Sequence, residues 1–200
     1  MNTLHLILYI GEGAGLAAAA GLRPFLPGVL AGILAYENVV LDFTHTDYSF
    51  LEAPAFLLAL VGVLAAALVA QRMLGSERFE TGPLGAAVAG AGIGLGALLF
   101  AAVLAQHHRS PWAGLVGGLL CATLAQLAAR GLLARTRARL AAGEARDALT
   151  VYVDGVSLVL AAIGVFLGPA SFIALAFFAR LLLGARRRAG EKYAGLRILK

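Results

Sequence analysis

The sequence predicts an all-α protein, a polytopic helical membrane domain spanning residues 1–200. Three observations carry that reading. Of the 200 residues, 60% are hydrophobic, and the mean hydropathy is +0.86. A water-soluble domain of this size has too little interior to hide so much apolar surface. Only 14% of residues are charged, and nearly all lie between long apolar runs rather than within them. The runs also lack the polar face that a soluble bundle needs on each helix. In hydrocarbon, a spanning segment must satisfy its backbone internally, which makes each run a helix.

Five apolar segments follow in order, at about 4–36, 53–71, 83–106, 111–134 and 149–185. The middle three have the length of a single crossing and are expected to be transmembrane helices. The first and last are too long. A continuous helix over 4–36 would run about 50 Å, against a hydrocarbon core of about 30 Å. Gly21 and Pro24 divide it into legs at 4–20 and 25–36, of about 25 and 18 Å. Gly168-Pro169 divides the last segment in the same way. Both are expected to be broken or re-entrant helical hairpins. Residues 1–20 have no Lys or Arg ahead of the apolar stretch, and Glu12 interrupts it, so the segment is read as retained rather than as a signal peptide.

Charge placement sets the expected topology. Arg72 and Arg78 occupy one linker; Arg130, Arg135, Arg137, Arg139 and Arg146 occupy another; Arg186, Arg187, Arg188, Lys192, Arg197 and Lys200 occupy the tail. Residues 1–3 and 37–52 hold no Lys or Arg, and the turn near 107–110 holds only Arg109. The positive-inside rule assigns the first group, with the basic tail at 186–200, to the cytoplasm. The last segment must then enter from the cytoplasm and return to it, whereas 4–36 enters and leaves from outside. The windows "AAAAGLRPFLPGVLAGILA" and "VLAAIGVFLGPASFIALAF", each downstream of an acid, read as a candidate inverted repeat of the kind found in transporters. The net charge of +5 fits membrane orientation and anionic lipid better than nucleic acid.

Three ionisable residues lie well inside the apolar runs: Glu12, Arg23 and Asp154. Such a charge costs a few kcal/mol in lipid, so it is paired, hydrated, facing protein or snorkelling to an interface. Arg23 stands before Pro24 and near Pro27, where backbone groups are freed and the helix beginning near Phe25 points its positive end. An arginine beside a helix N-terminus favours a carboxylate or phosphate. Glu12 and Asp154 are each open to two roles, as an ion-pair partner of Arg23 or as a titrating group in a coupled step. The candidate substrate-binding set is therefore Arg23, Glu12 and Asp154 with the break residues Gly21, Pro24, Pro27 and Pro169.

The remaining features have plainer readings. Gly90/Gly94, Gly92/Gly96, Gly114/Gly118 and Gly28/Gly32 have the four-residue spacing of close helix packing. Asp42, His45 and Asp47 are metal-capable by type, but the loop "YENVVLDFTHTDYSFLE" reads better as solvated acidic sequence. His107 and His108 are expected to be exposed, His5 interfacial, and the single Cys121 a small buried apolar residue. No nucleophile–base constellation, phosphate loop, metal set or cofactor motif is evident, so an enzyme is not expected.

The residues "AAAAGLRPFLPG", the run "PWAGLVGGLLCATLAQLAARGLLAR" and the late "VDGVSLVLAAIGVFLGP" together resemble an uncharacterised bacterial membrane family, domain of unknown function 4126. The resemblance carries across Gly21, Leu22, Arg23 and Pro27, and more loosely Asp154 and Pro169. Where that family has acids and a lysine–proline pair, this chain has "QRMLGSERFETGP". The resemblance implies a bacterial cytoplasmic membrane and supplies no activity. The arginine–proline hairpin is also loosely similar to the re-entrant motifs of DedA-type lipid-phosphate translocases. The function expected is a small transporter or channel with a polar path between two broken helices, contacting an anionic group and completed by a homo-oligomer. A lipid-phosphate translocase and a non-transporting scaffold subunit are the alternatives. The expected partners are the lipid bilayer and an anionic lipid or small anion.

Overall fold

The computed structural model describes residues 3–74, 82–137, 139–140 and 144–196, the last two stretches of helix (144–147 and 186–196) by backbone only. Arg78, Arg146 and the basic residues of the tail, including Arg197 and Lys200, are thus outside the residues whose side chains are described. Among the described residues the chain is helical apart from short turns. The elements are α1 (Thr3–Leu22), α2 (Phe25–Tyr36), a short 3-10 turn (Ser49–Leu51), α3 (Pro54–Leu74), α4 (Pro83–Gln106), α5 (Pro111–Arg137), α6 (Glu144–Phe166) and α7 (Ala170–Leu196). Five of them are long and apolar enough to cross a membrane: α1, α3, α4, α5 and the 148–166 part of α6. The protein is a polytopic helical membrane protein.

The central element is α1. It packs against α4, α5, α6, α7 and α2, and every residue from Gly11 to Gly21 is buried. This stretch is mostly glycine and alanine, and the small side chains are what admit five neighbours at once. A Cβ on Gly13 would strike the Phe100 ring, and one on Gly21 the Ala122 carbonyl. Gly96 lies on Ala17 and Gly92 on Ala20, so α4 runs antiparallel to α1. On α5, a Cβ at Gly118 would lie 2.6 Å from the Ala97 Cα, and one at Gly114 2.6 Å from the Ala101 Cα. Gly28 and Gly32 make close contacts in the same manner, with Leu95 and Leu57. The Gly90/Gly94 pair departs from the expectation. Neither has a heavy atom within 4 Å of a built Cβ. The two lie two residues out of phase with Gly92 and Gly96, which turns them onto the outer face of α4.

Both long segments are hairpins. Arg23 N still bonds Ala19 O, after which Pro24 ends α1. Pro27 sits in the first turn of α2, where an N–H has no intrahelical acceptor to lose. α2 then turns back: Gly28 meets Leu95, and beyond it the Val40 carbonyl accepts a bond from Gln106 Nε2 at 3.0 Å, at the end of α4. The first leg is longer than expected, 20 residues or about 30 Å, because the glycine at 21 stays helical and the break falls at 23–24. The second leg, 12 residues, is too short to cross, and the buried Leu41 and Phe43 continue its packing beyond the helix.

The second hairpin breaks at residues 167–169. Gly168 lies against Leu8 O and Glu12 N, and Gly164 against Gly15, so α6 runs antiparallel to α1. α7 then returns along α5 and α1, with Leu175 packed beside Ala14, Ala17 and Phe100. The two hairpins enter from opposite faces, and each turn rests on the first leg of the other. We call the two faces the loop face (residues 37–53 and 107–110) and the arginine face (the ends of α3 and α5, with Arg72, Arg130, Arg135 and Arg137).

Candidate functional site

The intramembrane charges form two separate pairs. Arg23 Nε lies 2.6 Å from Asp154 Oδ1, and Arg23 Nη2 donates to the Thr150 carbonyl at 3.5 Å. Sequence reasoning proposed either acid as the partner of Arg23, and Asp154 takes that role. The anion expected beside Arg23 is supplied by the chain itself. Glu12 is elsewhere. It sits eleven residues before Arg23 on one continuous helix, about 16 Å away along the axis. Its Oε2 is 3.6 Å from His107 Nε2. A single site containing all three charges is therefore not formed, because a straight helix holds Glu12 at its middle and Arg23 just past its C-terminal end.

Depth follows from the α1–α4 contacts. The middle of the 24-residue α4 falls at residues 94–95, level with about residue 18 of α1. Glu12 then lies about 9 Å to the loop-face side of that level, and Arg23 about 8 Å to the arginine-face side. Both distances are shorter than the half-thickness of a hydrocarbon core, about 15 Å.

The two pairs differ in the access of the acid. The Arg23 and Asp154 side chains are 21% and 26% exposed; in the other pair His107 is 22% exposed and Glu12 9%. Asp154 stands at an edge of α6: Thr150 and Ser157 on one side of it are buried, while Val151 and Gly155 on the other are exposed. Nothing lies within 4 Å of a Cβ built on Gly155. The Arg23–Asp154 pair therefore borders the outer surface of the molecule.

The break residues have distinct places. Gly21 is pressed on Ala122, Pro24 touches Gly92, and Pro27 is fully buried. These three shape the turn beside Arg23. Pro169 is exposed at the other turn and belongs with Glu12, not with Arg23. His107 corrects an expectation. It is half-buried, paired with Glu12 and stacked on Tyr9 with ring centroids 3.5 Å apart and planes at 14°. A pair of histidines in a four-residue turn looks solvent-facing; only the packing of α1 beside α4 brings Glu12 to it. His108 is exposed as expected. Cys121 is half-buried, less enclosed than expected.

In the 37–53 loop the acids serve the backbone. Asp42 Oδ1 accepts from the Thr44 N–H at 3.0 Å and hydroxyl at 2.7 Å, and these bonds hold its carboxyl below the usual range. Glu52 accepts the Phe43 N–H at 3.0 Å. Among the described residues no three His, Cys, Asp or Glu side chains converge as a metal site. Comparison with family models, curated proteins and solved structures returned no match.

Proposed function

We propose that the protein is a small membrane transporter in which the Arg23–Asp154 pair is a displaceable anion contact. One observation carries this reading: an ion pair at the turn of a broken helix, within membrane depth, that stays a fifth to a quarter exposed. A pair serving only to hold helices together is better sealed, since water or headgroups weaken it. An incoming carboxylate or phosphate competes with Asp154 for the guanidinium, whose fork suits both. Neutralising Asp154 by a proton has the same effect, which would link anion binding to proton uptake. The arginine face is cytoplasmic in this reading, by the positive-inside rule, and the membrane is the bacterial cytoplasmic one that the family resemblance implies. No catalytic step is assigned.

A second reading is favoured by the position of the pair at the edge of α6, beside the exposed Val151 and Gly155. That edge fits approach from within the bilayer, so the anion would be a lipid phosphate. Purified protein in proteoliposomes distinguishes the two. Radiolabelled phosphate and carboxylates test soluble anions; a fluorescent phosphatidic acid quenched from outside tests lipid movement. Flux of one class that falls at least tenfold in Arg23→Ala, and changes its pH dependence in Asp154→Asn, supports the corresponding reading. Equal flux in the wild type, both variants and empty vesicles overturns both.

A further inference from the structure

We propose that Glu12, His107 and Tyr9 form a proton-binding site on the loop-face side of the membrane midplane, separate from the Arg23–Asp154 pair. The starting point is an imbalance of hydrogen bonds. Glu12 is more than nine-tenths buried, and its Oε1 has no hydrogen-bond partner. Its Oε2 lies 3.6 Å from His107 Nε2. That separation is an ion-pair distance, longer than a hydrogen bond. His107 Nε2 is itself buried without a hydrogen-bond partner. An ionised carboxylate left this way in an apolar interior is costly. One added proton removes the cost, held on His107 as an ion pair with Glu12 or on Glu12 as a donor to the imidazole.

The surroundings make the site selective for a proton. Tyr9 lies flat on the imidazole and fixes the plane of the ring. Glu12 stands on α1 between the side facing α4, marked by Tyr9 and Gly13, and the side facing the second hairpin, marked by Gly11 and Gly15. From the second hairpin, residues 155–179 bring no titratable side chain. Its contribution is Gly168 against Glu12 N, and Ser171, whose buried hydroxyl has no hydrogen-bond partner and lies against Gly15. From α5, the titratable residue before Arg130 is Cys121, about two turns of helix past Gly114. On α1, His5 neighbours Tyr9. His108 and Arg109 follow His107 in the turn, and Glu37 follows α2 in the loop that Gln106 holds at Val40. The acids nearest in that loop, Asp42 and Glu52, already accept backbone bonds. His107, at the loop-face turn, is the more exposed member of the pair, so the imidazole is the side from which a proton enters. The site does not depend on the transport reading, because it follows from the polar atoms of α1 and α4 alone.

Nuclear magnetic resonance of the full chain in lipid nanodiscs tests this directly, with 13C in glutamate carboxyls and 15N in histidine rings. Glu12→Gln and His107→Asn assign the two signals. The Glu12 carboxyl and the His107 ring should move together over one pH interval, with one proton bound. Removing the partner should displace the remaining transition. Transitions over separate intervals, or a His107 transition unmoved in Glu12→Gln, would overturn the site. Should either variant fail to fold, Glu12→Asp and His107→Gln serve the same assignment. Transport assays do not enter, so failure here leaves the Arg23–Asp154 proposal standing, and the reverse.

Discussion

Arg23 has a partner that its sequence neighbours do not indicate, and the consequence is energetic. Removing one member of a sealed ion pair costs about 3–5 kcal/mol, because the other is left charged and unpaired. Here both side chains keep some access to the surroundings, which lowers the cost. Arg23→Met and Asp154→Leu should each lower stability by about 1–3 kcal/mol. The double variant should recover to within about 1 kcal/mol of the wild type, since replacing a whole buried pair by apolar groups is often neutral. Unfolding in mixed micelles with increasing sodium dodecyl sulfate measures all three. A double variant less stable than both singles would show that the pair contributes more than mutual neutralisation. The same residue scale shows where sequence reading succeeds. A charge inside an apolar run is visible at once, and so Arg23, Glu12 and Asp154 were legible as unusual. Which acid meets the arginine was not, because α1 and α6 are joined only through the whole of the intervening fold.

Helix packing here rests on where glycines fall around each helix. Spacing alone treats Gly90/Gly94 and Gly92/Gly96 alike. The structure separates them by rotation: Gly96 lies on Ala17, whereas Gly94 faces open space. Gly118→Ala puts a methyl 2.6 Å from the Ala97 Cα and 2.8 Å from the Gly96 carbonyl, so the α4–α5 contact must open. Overpacking of this kind costs about 1–3 kcal/mol. Gly94→Ala adds a methyl to an open face and improves helix propensity, so it should be neutral or stabilising by up to about 1 kcal/mol. Thermal unfolding of the two variants in one detergent checks the contrast. Equal losses would mean that the outer face of α4 is covered. α3 illustrates the other extreme. It touches mainly α2, and only 6% of its most apolar stretch is buried, against 61% for α1. In water such a helix would not stay; facing lipid, it needs no further partner.

The fold as a whole is a pair of interlocked hairpins with α1 at the centre, and its topology is testable. Single cysteines at His45 and His108 should react with an impermeant maleimide from one side of the membrane. Cysteines at Arg137 and Arg139 should react from the other, all on a Cys121→Ser background. Labelling of 45 and 137 from the same side would break the hairpin arrangement. The two charge pairs, about 9 and 8 Å to either side of the α4 centre, give each half of the membrane one acid with one basic partner. If the transport reading holds, that placement suits a molecule in which an anion and a proton are handled from opposite faces.

Composition, the lengths of apolar runs and their glycines and prolines determined by themselves that this is a multi-pass helical protein, with five segments and breaks between Gly21 and Pro24 and at Gly168-Pro169. These properties are local: a backbone in hydrocarbon must be helical, and proline ends a helix wherever it stands. The three unusual charges were equally plain, because each is costly on its own terms. Tertiary structure alone decided that Asp154 neutralises Arg23, that Glu12 belongs with His107, and that one glycine pair packs while its neighbour faces outward. Those outcomes depend on helix rotation and on contacts between distant segments. A chain in which nearly every face of every helix is apolar carries little periodicity from which either can be read.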